Sequence, residues 1–251
     1  MLQKFIFFNL FFVSFLLADS ITIFAASDLK FALDSIKTNF LKNNPNDTIN
    51  MIYGSSGKGR VQVNNNAPFD LYFSANMDYV QELYKANKLA TQPKLYAIGR
   101  LVIWSKNPAF VAKNGFKNFE KKWVDKISIA NPSHAPYGEK AKQALQSMKM
   151  YKSLKRKIVL GENISQTANY INIEATDIGI IALSLVLAPK IASSHYASYY
   201  LIDDKLHKPL RQGYAITKYA ENSLLAHQFY DFFQTKNSVQ ILNKYGFVVH
   251  K

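Results

Sequence analysis

The sequence predicts an α/β fold of two lobes, each a mostly parallel sheet flanked by helices, with two hinge connections. From Ile21 onward, short β-rich runs alternate with amphipathic stretches of helical period, the pattern of parallel strands joined by crossover helices. The early strands end in small or polar residues that lead straight into helices. Two extended runs centred on glycine, 95–104 (LYAIGRLVIW) and 209–217 (PLRQGYAIT), lie far apart in the chain and read as the two connections. The expected division is 19–94 with 204–251 for a discontinuous first lobe and 95–203 for the second.

The elements follow in order. Residues 21–26 (ITIFAA) make the first strand, and Leu29, Leu33, Ile36 and Phe40 then recur at helical spacing. Residues 48–53 make a second strand that ends in Gly54-Ser55-Ser56-Gly57, with a helix expected over 58–65. A third strand at 71–73 precedes a helical stripe of Met77, Val80, Leu83 and Tyr84, assigned to the core. After the first glycine-centred run, strands are expected at 127–130, 157–160 and 177–181, with helices at 135–148 and 165–173 between them. Past the second run, Leu224, Leu225, Phe229, Phe232 and Phe233 form an amphipathic helix.

Composition narrows the function. With 251 residues, 48% of them hydrophobic, the chain carries enough apolar mass for one large domain or two small ones. The absence of cysteine excludes a disulfide framework, a thiolate metal site and a cysteine nucleophile. Lys4 followed by the apolar run 5–17 (FIFFNLFFVSFLL) and small residues at Ala18 and Ser20 predicts a cleaved signal peptide, 1–18, and hence export. Thirteen residues reach only about 20 Å, short of the roughly 30 Å hydrocarbon core of a bilayer. The net charge of +14 would suit a nucleic-acid partner, but export and the scatter of the basic residues argue for no nucleic acid. The dense cluster Lys152, Lys155, Arg156 and Lys157 reads as the solvated end of a helix, and the overall charge as a field that attracts small anions.

Residues with chemistry gather at strand ends. Ala26-Ser27-Asp28 and Gly54-Ser55-Ser56-Gly57 each join a strand to a helix, as do 131–138 (NPSHAPYG) and 161–166 (GENISQ). In open α/β sheets ligands bind outside the carboxyl ends of strands, where helix N-termini offer unpaired N–H groups and a partial positive charge. Serine hydroxyls add rotatable donors. The same residues would serve equally as plain helix caps.

The tracts AASDL, YGSSGKGRVQV, APFDLYFSA, NPSHAPYGEKAKQAL, GENISQTANYI, DIGIIA and the final KYGF resemble the successive signatures of the bacterial periplasmic molybdate-binding proteins that serve ABC transporters. They stand in the same order over nearly all of the mature chain. The resemblance implies a two-lobed, periplasmic-binding-protein-like fold that closes over a tetrahedral oxyanion, molybdate and, being nearly the same size, tungstate; a binding protein for another ligand such as sulfate or ferric ion is the alternative. It assigns Ser27 as a hydroxyl ligand, Asp28 as a backbone N–H donor, Ser56 as hydroxyl and amide, Tyr137 as a second-lobe ligand and Ile164 as a further N–H donor. Some members place a tyrosine hydroxyl on the anion from the position of Ala182, which has no donor; Tyr137 is the candidate to stand in. The resemblance further implies a membrane-embedded ABC permease as partner, a periplasmic monomer and no resident cofactor.

None of these positions is lysine or arginine. Neutral donors in a dry cleft hold a dianion through convergent dipoles, whereas a lone buried cation carries its own desolvation cost. A site with no proton acceptor favours a fully deprotonated anion, and discrimination against sulfate then rests on size. Catalysis finds less support: Tyr53-Gly54-Ser55-Ser56-Gly57 is not G-x-S-x-G, and Gly59 followed by Arg60 and Val61 is not a phosphate loop. Tyr199 and Tyr200, with His195 and Asp203, could be iron ligands, against the plainer reading of a half-buried strand in which Tyr196 and Tyr200 share a face.

Overall fold

A computed structural model describes residues 18–193 and 195–249, so the expected signal segment, apart from Ala18, lies outside the described residues. Two five-stranded sheets organise the described residues. The first contains β1 (Ser20–Ala26), β2 (Thr48–Gly54), β3 (Leu71–Ser74), β4 (Lys94–Gly99) and β10 (Leu210–Ile216), in the order β2-β1-β3-β10-β4. The second contains β5 (Leu101–Trp104), β6 (Ile127–Ala130), β7 (Ile158–Gly161), β8 (Ile178–Ala182) and β9 (Tyr199–Leu201), in the order β7-β6-β8-β5-β9. The sheets share a plan. In each, parallel strands are followed by one antiparallel strand, β10 beside β3 and β5 beside β8, which also pairs antiparallel with the far edge strand.

The helices are α1 (Lys30–Leu41), α2 (Ser56–Asn64), α3 (Met77–Lys85), α4 (Pro136–Ser147), α5 (Tyr151–Leu154), α6 (Ile164–Asn172), α7 (Leu183–Val186), α8 (Pro189–Ala192), α9 (Leu224–Phe232) and α10 (Lys236–Lys244). Their apolar faces cover both sides of the sheets. On one side of the first sheet, Leu33, Ile36 and Phe40 of α1 pack with Phe229 of α9 and with Phe233, around Phe73 and Tyr214, whose rings stack at 4.8 Å. Val80 and Leu83 of α3 close the other side over Phe24 and Tyr72. The second sheet has its own core around Trp104, Phe119, Ile129 and Ile180. Met77, Val80 and Leu83 face inward, but Tyr84, expected in that stripe, is 41% exposed. One residue beyond Leu83, the helix has turned it about 100° off the buried face.

Other boundaries also move. The expected division at 94/95 falls at the start of β4, which pairs with β10 in the first sheet; the chain crosses to the second sheet only between Gly99 and Leu101. The largely apolar character of the whole run hid this, because buried strands of either sheet read alike. The helix expected from Lys58 begins at Ser56, capped by Ser55, whose Oγ accepts the N–H of Lys58. The basic cluster falls on α5 and the 3-10 turn Lys155–Lys157, none of whose residues is buried. The tyrosine strand is short, Tyr199–Leu201: Tyr196 lies outside it, its carbonyl accepting the Trp104 Nε1–H at 2.7 Å, and Tyr200 packs edge-on to Phe116.

Candidate oxyanion site

Four strand-to-helix junctions, after β1, β2, β6 and β7, meet at the seam between the sheets. After β1 a 3-10 turn, Ser27–Leu29, leads into α1. After β2, α2 starts at Ser56, and after β6, α4 starts at Pro136, whose missing N–H costs nothing in a first turn. After β7, Asn163 caps α6, its side chain accepting the N–H of Gln166 at 2.9 Å. These junctions bring all five residues expected to bind ligand, Ser27, Asp28, Ser56, Tyr137 and Ile164, to one small cavity. Gly54, Ala75 and Ala135 are among the small residues that complete its wall.

The donors arise from helix geometry. Ser27 and Asp28 open the 3-10 turn, Ser56 is the first residue of α2, Tyr137 the second of α4 and Ile164 the first of α6. The N–H of a first-turn residue has no acceptor within its own helix. Ser56 is anchored on two sides. Its Oγ accepts the N–H of Ala75 at 2.9 Å and its carbonyl accepts the Tyr72 hydroxyl at 2.6 Å, leaving its own hydroxyl hydrogen to donate. No lysine, arginine or histidine lines the cavity.

The two sides are joined across the cavity. Ser27 Oγ donates to Asn163 Oδ1 at 3.2 Å and accepts the N–H of Ser165 at 3.2 Å, while Ser165 Oγ donates to the Ser27 carbonyl at 2.9 Å. Ser55 Oγ lies 2.8 Å from His134 Nδ1, and the N–H of Gly57 donates to the His134 carbonyl at 2.9 Å. A Cβ on Gly57 would stand 2.6 Å from that carbonyl oxygen, so this approach requires glycine. At the rim, Lys58 Nζ meets Glu162 Oε1 at 2.5 Å.

Tyr137 corrects one expectation. Its hydroxyl does not stand in for the tyrosine missing at Ala182; it donates to Asp28 Oδ2 at 3.0 Å and accepts from Gln212 Nε2 at 3.0 Å. Only its backbone N–H is left for a ligand. Ala182 itself is buried at the end of β8, paired with Leu101, and is not among the cavity's lining residues.

Asp28 brings more than its amide. Its carboxylate is buried: Oδ2 also accepts from Gln212 Nε2 at 2.9 Å, and Oδ1 has no partner among the described residues. Burial raises its pKa to about 6, against the opposing pull of hydrogen bonds from Gln212, Tyr137 and its own backbone. Tyr96 donates to Gln212 Oε1 at 2.5 Å, and burial, followed by the nearby Asp28, pushes the Tyr96 hydroxyl well above its usual range. Gly99 makes room for this network, because a Cβ there would stand 2.2 Å from the Tyr137 hydroxyl and 2.5 Å from Gln212 Nε2. Gln212 and Tyr96 escaped the sequence reading. A glutamine inside the apolar strand run PLRQGYAIT was the one available signal, since a fully buried amide demands partners.

The chain belongs to the bacterial extracellular solute-binding protein family, whose model matches residues 21–248. It is 29% identical over 202 residues to the molybdate-binding protein ModA of Rhodobacter capsulatus, covering 80% of this chain and 77% of that protein. To the molybdate-binding protein ModA of Escherichia coli K12 it is 28% identical over 237 residues, covering 91% and 89%. The solved periplasmic molybdate-binding protein of Azotobacter vinelandii superposes with a TM-score of 0.85 at 26% identity, covering 92% of this chain and all of that one.

Proposed function

We propose that this protein captures molybdate, and tungstate with it, in the periplasm and delivers it to an ABC importer, with no catalysis and no resident cofactor. The observation that carries this reading is the convergence of first-turn residues from four junctions, Ser27 and Ser56 among them, on one small cavity that no cationic side chain lines. Such donors satisfy a tetrahedral dianion from several directions without a buried cation. The relatives named for molybdate and the Azotobacter structure support the choice of ligand. In this reading Ser27 and Ser56 hold the anion through their hydroxyls, and Asp28, Ser56, Tyr137 and Ile164 through backbone N–H groups. The mature chain, freed of its signal peptide, acts as a monomer whose two lobes, divided at the Gly99 crossing, present a closed surface to the permease.

Calorimetric titration of ligand-stripped mature protein with molybdate, tungstate, sulfate and phosphate tests the proposal. Tight one-to-one binding of the first two and silence toward the others is expected, because the two larger anions are nearly equal in size. Equal affinity for sulfate would remove size as the selector, and silence toward all four would remove the oxyanion reading.

A further inference from the structure

The Asp28 carboxylate is a like charge placed beside an anion site. Its residue lines the cavity, and an oxyanion held by its own N–H lies within the few ångströms over which one charge opposes another. The groups that face it offer no compensating cation. They are Tyr137 from α4, Gln212 from β10, Tyr96 from β4 through Gln212, and the Ser184 hydroxyl of α7, which donates to the Asp28 carbonyl at 2.7 Å. From α6 come Ile164 and Ser165, and from α2 Ser56, all uncharged. Lys30, on the following helix, is engaged with Asp34, and Lys58 and His134 each meet the carboxylate of Glu162 at the rim.

We propose that Asp28 links oxyanion capture to protonation: as the dianion enters and the cleft closes, the carboxyl takes up a proton from solvent, so affinity falls as pH rises. The inference rests on the oxyanion reading above. Oδ2 already accepts two hydrogen bonds, so the proton goes to Oδ1, the oxygen without a partner. Opening the cleft separates Tyr137 and Ser184 from Asp28 and readmits water, returning the carboxyl toward its ordinary range; closure raises it to about 6, and a neighbouring dianion raises it further. A group whose pKa is higher in the bound state binds a proton on complex formation. Its contribution is complete at acid pH and is lost as pH rises through the bound-state value.

The test is calorimetric titration of the mature protein with molybdate at pH 6.5, in buffers of different ionisation enthalpy, and then across pH 5.5 to 7.5. Wild type is expected to take up close to one proton per anion and to lose about tenfold in affinity per pH unit wherever uptake is near one. Asp28→Asn, which keeps an acceptor for Tyr137 and Gln212, is expected to show no uptake, a flat profile and tighter binding than wild type at pH 7.5. Binding by wild type with no proton uptake overturns this inference alone, and that measurement needs no variant. If neither protein binds molybdate, tungstate or sulfate, the oxyanion reading falls and this inference with it.

Discussion

Ser27 Oγ lies 3.2 Å from Asn163 Oδ1, so a hydroxyl at the end of the first strand of one sheet is held by the cap of a helix that follows β7 of the other. The contact joins the two sides of the cavity and occupies the Ser27 hydroxyl hydrogen. In the proposed function an entering oxyanion takes that hydrogen from Asn163, whose Oδ1 keeps its bond from Gln166 and so remains satisfied. The exchange makes anion binding and closure use the same atoms.

Ser56→Ala should weaken molybdate binding by about 1.5–3 kcal/mol, on the order of tenfold to a hundredfold in Kd, by removing a charge-assisted donor. It also deprives the Ala75 N–H of its acceptor, so a stability loss of about 1 kcal/mol is expected. Titration and chemical denaturation separate the two effects. Wild-type affinity in the variant would place the anion elsewhere.

Gly57→Ala should leave the fold intact, since alanine suits a helix better than glycine, while its Cβ, 2.6 Å from the His134 carbonyl oxygen, props the cleft open. Small-angle scattering is expected to record contraction of the wild-type protein on adding molybdate and little or none in the variant. Full contraction of the variant would mean that the Gly57–His134 approach is not part of closure.

Asp28→Asn should remove a pH-dependent weakness of the closed, molybdate-bound protein. The carboxyl's pKa is raised from 3.8 to about 6, so its burial costs nothing at acid pH and costs progressively more as pH rises through that window. Above it the penalty is on the order of 3 kcal/mol at most. Denaturation in saturating molybdate at pH 4.5 and pH 7.5 is expected to show wild type losing more stability than the variant between the two. Parallel behaviour would mean that the carboxyl stays solvated in the closed protein.

Gly99→Ala should destabilise by about 1–3 kcal/mol, because its Cβ meets the Tyr137 hydroxyl and the Gln212 amide well inside contact distance. Molybdate affinity should fall as well, since the displaced Tyr137 belongs to the α4 first turn. Thermal melts and titration check both, and an unchanged melting temperature would contradict the packing described at this crossing.

What the amino-acid sequence determines by itself is what is local. Alternation of strand and helix periods, the small polar residues at Ala26–Asp28 and Gly54–Gly57, and Pro136 at a helix start specify the elements and their ends, because these depend on neighbours within a turn or two. The same locality made the four junctions legible as sources of donors, since a first-turn N–H is unpaired whatever the rest of the chain does, while the choice of Ser27, Asp28, Ser56, Tyr137 and Ile164 came from the family resemblance. Tertiary structure alone decided where side chains point across the seam. Sequence cannot say that the Tyr137 hydroxyl reaches Asp28, that Gln212 and Tyr96 join them, or that β4 pairs with β10 instead of entering the second sheet. Those choices depend on which buried polar group finds which partner at long range in the chain, and on the desolvation that turns the Asp28 carboxylate from a surface acid into a buried one.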